Sequence, residues 1–387
     1  MNSKACIRFH NLRQTLGRVD LTVEEGRHRH NLWFEHPLEE TLDTSNLAIA
    51  LSTLAGTAYD SVVFDFPVDS GVVSGIAEWT RSEVEVAEDV KGTSEPKRAH
   101  RVSAVLNFSG GFDSLAAKFL LPPETELVSL DFGGRFGREA KFFSQFHPMA
   151  IRTNLVETPL RANSWSFMGM GPLLLRQNVK AKFFAFGSIY EATGFRRVNP
   201  NQSVGTFPPF KLAGYQNVSP VRGVSEFGTA RILLSHRPDL IEDSLNSLAS
   251  PGEEKHVRKI LITRVVAEQM GIDVKTPQLP RKPRIHYRFG QNFAVDMTAL
   301  YFSSLGLGEY SDQLVEGMPE QVRKVSSVAD FSFMEKINGA LYSDYPSELR
   351  ESLEKGLSTS SMFWYDRQDN ENLESLRHLL SAHYDFG

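Results

Sequence analysis

A single cysteine, Cys6, stands in 387 residues. It has no partner for a disulfide framework, cannot build a multi-cysteine zinc site, and fits a reducing compartment. No apolar run approaches the roughly 18 residues that a membrane-spanning helix needs, and the first residues carry no signal-peptide core. The sequence therefore reads as a soluble, cytoplasmic protein without a membrane partner. Its net charge is only −5, from 42 Lys and Arg against 47 Asp and Glu. No global basic field is present, which argues against nucleic acid as the main partner. No internal repeat is apparent either.

What is present begins with Ala104 to Leu121, AVLNFSGGFDSLAAKFLL. The apolar run Ala104–Phe108 predicts a buried parallel strand, and the spacing of Leu115–Leu120 predicts a helix packed on it. Between them, Gly110 and Gly111 permit a tight turn with backbone N–H groups close to a ligand, and Ser109 and Ser114 add hydroxyls at a helix N-terminus. Such a nest suits a phosphate. Asp113 beside an anion makes sense if it holds Mg²⁺. A plain strand-turn-helix with a Ser or Asp cap is the bland alternative.

Ser-Gly-Gly-x-Asp-Ser after a strand resembles the signature of the PP-loop ATP pyrophosphatases, which split ATP into AMP and pyrophosphate while adenylating a substrate. No Gly-Lys-Ser/Thr follows, so this is not a Walker A loop. The resemblance implies that Ser109, Gly110, Gly111, Phe112, Asp113 and Ser114 bind ATP, with Mg²⁺ at Asp113. Further on, a strand over Leu127–Leu130 ends in Asp131-Phe-Gly-Gly-Arg135-Phe-Gly-Arg138-Glu139. Ligands bind beyond the carboxyl ends of parallel strands, so this loop is expected to face the nucleotide, with Arg135 and Arg138 as phosphate or carboxylate contacts or as ordinary surface charge. Asp131, Gly133, Arg135 and Glu139 match the Asp-Tyr-Gly-Gln-Arg-His-x-x-Glu block of the 7-cyano-7-deazaguanine synthases, the QueC family. A strand over Lys182–Phe186 then ends at Gly187, either a glycine beside the nucleotide, as the family has, or a turn glycine.

The fold implied is α/β: a parallel sheet with helices on both faces over residues 100–275, an N-terminal α+β or β-rich module over 1–90, and a mostly helical extension over 276–387. Strands are expected in 5–9, 21–23, 32–34 and 61–66, and a helix in 46–54. The Glu-, Lys- and Ser-rich stretch Arg81–Arg101 reads as a linker or as a helix followed by a loop, and Phe195–Val221, with Arg196, Arg197 and Lys211, as a lid or binding loop or as disordered chain, the lid being preferred. His28, His30 and His36 lack a Cys or carboxylate set to complete a metal site. The basic run Arg281–Arg288 reads as a solvated turn first, or as a dock for nucleic acid or an acidic protein segment, and Phe363-Trp364-Tyr365 as core or partner surface.

Ser244–Arg264 has the layout of the family's zinc segment. The four cysteine positions hold Leu248, His256, Lys259 and Ile262, so no structural zinc is expected there. Zinc-free relatives with such extensions resemble the QueC-like proteins of bacterial anti-phage clusters, including QatC and the QueC-like component of some CBASS operons. The resemblance implies ATP-dependent adenylation of a planar, purine-like carboxylic acid, carboxydeazaguanine above all. Amide formation with ammonia or with an amine on a partner protein follows, with Asp113, Arg135 and Lys211 catalytic. The alternative is a regulatory subunit that binds a nucleotide without turning it over.

Overall fold

The computed structural model describes residues 5–90, 103–197, 205–280 and 282–387. The chain forms two compact units: Met1–Ser109 with Glu124–Ala185 and Gly205–Val218, and Gly110–Pro123 with Phe186–Val204 and Ser219–Gly387.

The first unit is built on a ten-stranded sheet. Its strands are β1 (Cys6–Thr15), β2 (Arg18–Glu25), β3 (His28–Glu35), β4 (Ser61–Phe64), β5 (Glu83–Val86), β6 (Ala104–Asn107), β7 (Glu126–Asp131), β8 (Met149–Thr153), β9 (Phe183–Ala185) and β10 (Gln216–Val218). They lie in the order β10-β9-β6-β7-β8-β3-β2-β1-β4-β5. From β10 to β8 every pairing is parallel. At β8 the pairing turns antiparallel, with Arg152 opposite Glu35, and the strands of residues 6–86 continue the same sheet. The expected parallel sheet is therefore one half of a mixed sheet, because the N-terminal strands add to its β8 edge instead of closing a sheet of their own. Helices α1 (Thr44–Ala55) and α2 (Ser70–Thr80) start on Asp43 and Asp69, whose carboxylates accept first-turn amides.

Burial patterns separate the halves. In β1, Ile7 and Phe9 are buried while Arg8 is exposed, the alternation of a strand with one wet face. In β6, Ala104, Val105 and Leu106 are all buried, as a strand covered on both sides requires. From β6 the chain proceeds to β7 and β8 on one side and to β9 and β10 on the other. The carboxyl end of β6 is thus the point where strand order reverses, the usual ligand position in doubly wound sheets.

Two readings are corrected. Residues 83–86 of the expected linker form edge strand β5, parallel to β4 with Ser61 opposite Glu83, and Asp89–Val90 pair with Val68–Asp69; residues 91–101 of that stretch lie outside the described residues. The expected long loop contains the helix Pro208–Leu212 and edge strand β10; its residues 198–204 lie outside the described residues, as does Arg281 of the basic run.

The second unit is helical. It comprises α3 (Phe112–Leu120), α4 (Glu226–His236), α5 (Ile241–Leu248), α6 (Glu254–Met270) and the later helices Phe293–Ser304, Gly308–Leu314, Glu320–Ser326, Ser347–Thr359 and Arg367–Leu380. Helix α3 packs on α4 and on Ser347–Thr359, and α4 packs on α6. Leu115, Leu120, Phe227, Leu233, Ile260 and Leu261 are fully buried here, each worth about 1.5–3 kcal/mol relative to exposure. Gly356 allows the close approach to α3, since a Cβ there would lie 2.7 Å from both Leu120 Cδ2 and the Phe119 carbonyl oxygen. Phe363 and Trp364 are exposed.

Candidate functional site

Strand β6 runs out through buried Phe108 to exposed Ser109, the last residue of the first unit's opening segment. Gly110 then takes a φ of +76°, a conformation that favours glycine. Gly111 is extended and is the N-cap of α3, so no side chain caps that helix. Its first turn carries no side-chain cap and lies at the positive end of the helix dipole, where an anion is favoured. Ser114 Oγ donates to the Gly111 carbonyl at 3.0 Å, and Ser244 Oγ of α5 donates to the Gly110 carbonyl at 3.1 Å. The turn is thereby fixed from both sides within the second unit.

Gly187 belongs to the same structure. A Cβ at this position would lie 2.7 Å from Ser114 N and 2.8 Å from Asp113 C. Its φ is not the reason for glycine here; the close approach to the first peptide units of α3 is.

Behind the loop lies a chain of alternating charges. Asp113, in the first turn of α3, is partly exposed; its Oδ1 accepts from Lys259 Nζ at 2.9 Å and lies 3.5 Å from Thr229 Oγ1, whose hydroxyl donates to the Glu226 carbonyl at 2.9 Å. Lys259, on α6, is 1% exposed, with Nζ also 3.6 Å from Glu226 Oε2. Glu226, the first residue of α4, pairs through Oε1 with Arg258 Nη1, and Arg258 Nε donates to Glu254 Oε1 at 2.5 Å. Burial alone would raise the Glu226 carboxyl, but Arg258 and Lys259 outweigh it and hold it below the ordinary range. Burial likewise pulls the Lys259 ammonium down, and the charges of Asp113 and Glu226 outweigh that and raise it. Removing one member of such a set leaves an uncompensated buried charge.

Glu191 completes the cluster. Its Oε1 accepts the Glu226 backbone N–H at 2.9 Å, and its Oε2 is buried without a hydrogen-bond partner among the described residues. Burial first, and then the Glu226 charge, push its carboxyl up to about 8. At neutral pH it is the protonated member of the pair. Tyr190 anchors this segment: its hydroxyl accepts from Asn338 Nδ2 at 2.9 Å and its ring stacks on Phe195 at 4.1 Å.

The remaining expected site residues belong to the first unit. Asp131 closes the turn after β7, its Oδ1 accepting the Gly133 N–H at 2.8 Å, while Oδ2 lies 3.7 Å from Arg152 Nε. Gly133 and Gly134 both have positive φ, 61° and 50°. Arg135 is exposed and lies over the Phe136 ring at 4.8 Å. Lys211 is exposed on the helix Pro208–Leu212, which packs on α1 and α2. His28 and His30 share a face of β3, and His30 Nε2 lies 3.7 Å from Glu25 Oε2. His36 is buried apart from them. Among the described residues, no group of three or more His, Cys, Asp and Glu is placed to hold a metal ion. A cavity of about 510 Å³ is lined by Arg197, Arg377, Tyr384 and Phe386, and by no residue of the loop.

Sequence reasoning missed Lys259, Glu226, Arg258, Thr229 and Glu191 as one cluster. A signal existed: Val257-Arg258-Lys259-Ile260-Leu261-Ile262 sets two cations inside an apolar run, and cations on a buried helical face need buried partners. Comparison of the chain with family models, with curated proteins and with solved structures finds no match.

Proposed function

We propose that the chain binds the phosphates of Mg-ATP on the loop Ser109–Ser114 and transfers AMP to a carboxylate, releasing pyrophosphate. The observation that carries this reading is where the loop starts: it leaves the carboxyl end of the strand at which sheet order reverses, and runs into a helix that no side chain caps. Asp113 fits Mg²⁺, because its side-chain contacts among the described residues all fall on Oδ1 and its side chain is 28% exposed. One carboxylate oxygen is what Mg²⁺ takes from protein when phosphates and water supply the rest. Bound there, Mg²⁺ would neutralise phosphate charge.

In the reaction, a carboxylate oxygen attacks the α-phosphorus and the bond to pyrophosphate breaks, giving a mixed anhydride. An amine then attacks the carbonyl, the C–N bond forms, AMP leaves and the amine's proton is released. The loop N–H groups serve by charge neutralisation and positioning, and Arg135 or Lys211 is proposed from the sequence alone as a further cation. The resemblance to QueC supplies the substrates of this reading: carboxydeazaguanine or a similar planar acid, with ammonia or a partner-protein amine as acceptor, in anti-phage defence. A second reading, a regulatory subunit that binds ATP without turnover, is favoured by one observation: the loop aspartate is already paired with an internal lysine.

The test is AMP and pyrophosphate release from Mg-ATP with the acid present. Asp113→Asn is expected to lower it by about a hundredfold or more while circular dichroism stays unchanged. Full activity in that variant removes the role assigned to Asp113.

A further inference from the structure

We propose that Lys259 is a positioning residue for the loop: its ammonium holds one oxygen of the Asp113 carboxylate and leaves the other for the loop's cation. This rests on the reading of Asp113 as a Mg²⁺ ligand. Both contacts to the Asp113 side chain, from Lys259 Nζ at 2.9 Å and Thr229 Oγ1 at 3.5 Å, fall on Oδ1. Oδ2 has no partner among the described residues. At 1% exposure Lys259 cannot meet a ligand itself, so it acts through Asp113. It is in turn held by Glu226 Oε2 at 3.6 Å and lies over the Phe112 ring at 5.6 Å.

The charge is not there for packing. Lys259 sits among Val257, Ile260, Leu261 and Ile262, all fully buried, where an apolar side chain avoids the desolvation that a buried ammonium suffers. It also stands at one of the positions where the resembled zinc segment has cysteine. The helix that carries metal ligands in that pattern instead delivers a cation to the phosphate loop. Two consequences follow for Asp113: its carboxylate is restrained in one orientation, and part of its charge is balanced before any nucleotide arrives.

The experiment is calorimetric titration of the full chain with ATP, once in Mg²⁺ and once in EDTA, for wild type, Asp113→Asn, Lys259→Met, Lys259→Arg and the double variant Asp113→Asn/Lys259→Met. Wild type is expected to bind Mg-ATP more tightly than free ATP. Lys259→Met and Asp113→Asn each lose that difference by about ten- to a hundredfold, the scale of disturbing a residue behind a metal ligand. The double variant loses no more, Lys259→Arg recovers part, and binding in EDTA is unchanged throughout. Lys259→Met keeping the whole Mg²⁺ difference while Asp113→Asn loses it overturns the proposal. Lysine-selective ¹H–¹⁵N spectra of the ammonium groups, recorded without nucleotide, decide it independently, and serve if Lys259→Met does not fold. The Lys259 signal must move in Asp113→Asn, and a signal that stays in place overturns the proposal. No ATP binding by wild type together with a moving signal retires the ATP reading and keeps Lys259 as the residue that holds Asp113.

Discussion

The backbone N–H of Glu226 donates to Glu191 Oε1 at 2.9 Å, which sets two carboxyl groups side by side at the buried start of α4. They divide the work: Arg258 and Lys259 keep Glu226 ionised against its burial, while Glu191, buried beside that charge, is pushed up to about 8 and keeps its proton.

The share of stability that Glu191 contributes should consequently fall as pH rises. Below the unfolded value of about 4.5, Glu191 is protonated folded and unfolded alike. Between 4.5 and about 8 the unfolded chain releases a proton that the folded chain retains, so the folded state loses ground. The loss is on the order of 3–5 kcal/mol and levels off above 8. Glu226 acts in the opposite sense and only below about 4.5, outside that window. Glu191→Gln copies the neutral carboxyl and should flatten the slope between pH 5 and 8 in urea unfolding. An unchanged slope would show that the proton resides elsewhere.

Gly187 makes a steric prediction. A Cβ 2.7 Å from Ser114 N and 2.8 Å from Asp113 C meets backbone on α3, so Gly187→Ala must shift the loop. Calorimetry should find ATP binding weakened by about tenfold or more, with an unfolding cost of about 1–3 kcal/mol. Wild-type affinity in this variant would mean that the position of the first turn of α3 is immaterial to binding.

Arg258 is the least replaceable cation of the cluster. Arg258→Met leaves Glu254 without its partner and Glu226 with Lys259 alone, and should cost about 3–5 kcal/mol in urea unfolding. Adding Glu226→Gln should return part of that loss, because the two changes share a partner. Additive losses in the double variant would contradict the pairing.

Exposed Arg135 and Lys211 bear the reverse signature. Replacing either with Ala should leave stability within about 0.5 kcal/mol while lowering AMP release, by about a hundredfold where the cation stabilises the transition state. Undiminished release in both variants would remove them from the chemistry.

Strands β6, β7 and β9 and the turn after β6 were legible because each carries its own local pattern: Ala104-Val-Leu is apolar on both faces, and Gly110–Gly111 announces a turn. Strand β5 was hidden by its charges, since Glu83-Val-Glu-Val alternates as an edge strand does but reads as linker beside the Glu- and Lys-rich residues that follow. Strand β10, three residues long, is too short to show a period. The cluster behind the loop was illegible for another reason: Lys259 meets Asp113 across 146 positions, and no local pattern says which carboxylate a buried lysine will find. That the N-terminal strands would extend the same sheet depended on the β8–β3 pairing, a long-range contact of the same kind.

The measurement that tests the account most directly is AMP and pyrophosphate release from Mg-ATP by the purified chain, with and without carboxydeazaguanine. Adenylation predicts AMP and pyrophosphate in equal amounts, dependent on the acid, and lost in Asp113→Asn. Tight ATP binding with no AMP under either condition would contradict adenylation and leave a protein that binds the nucleotide without turning it over.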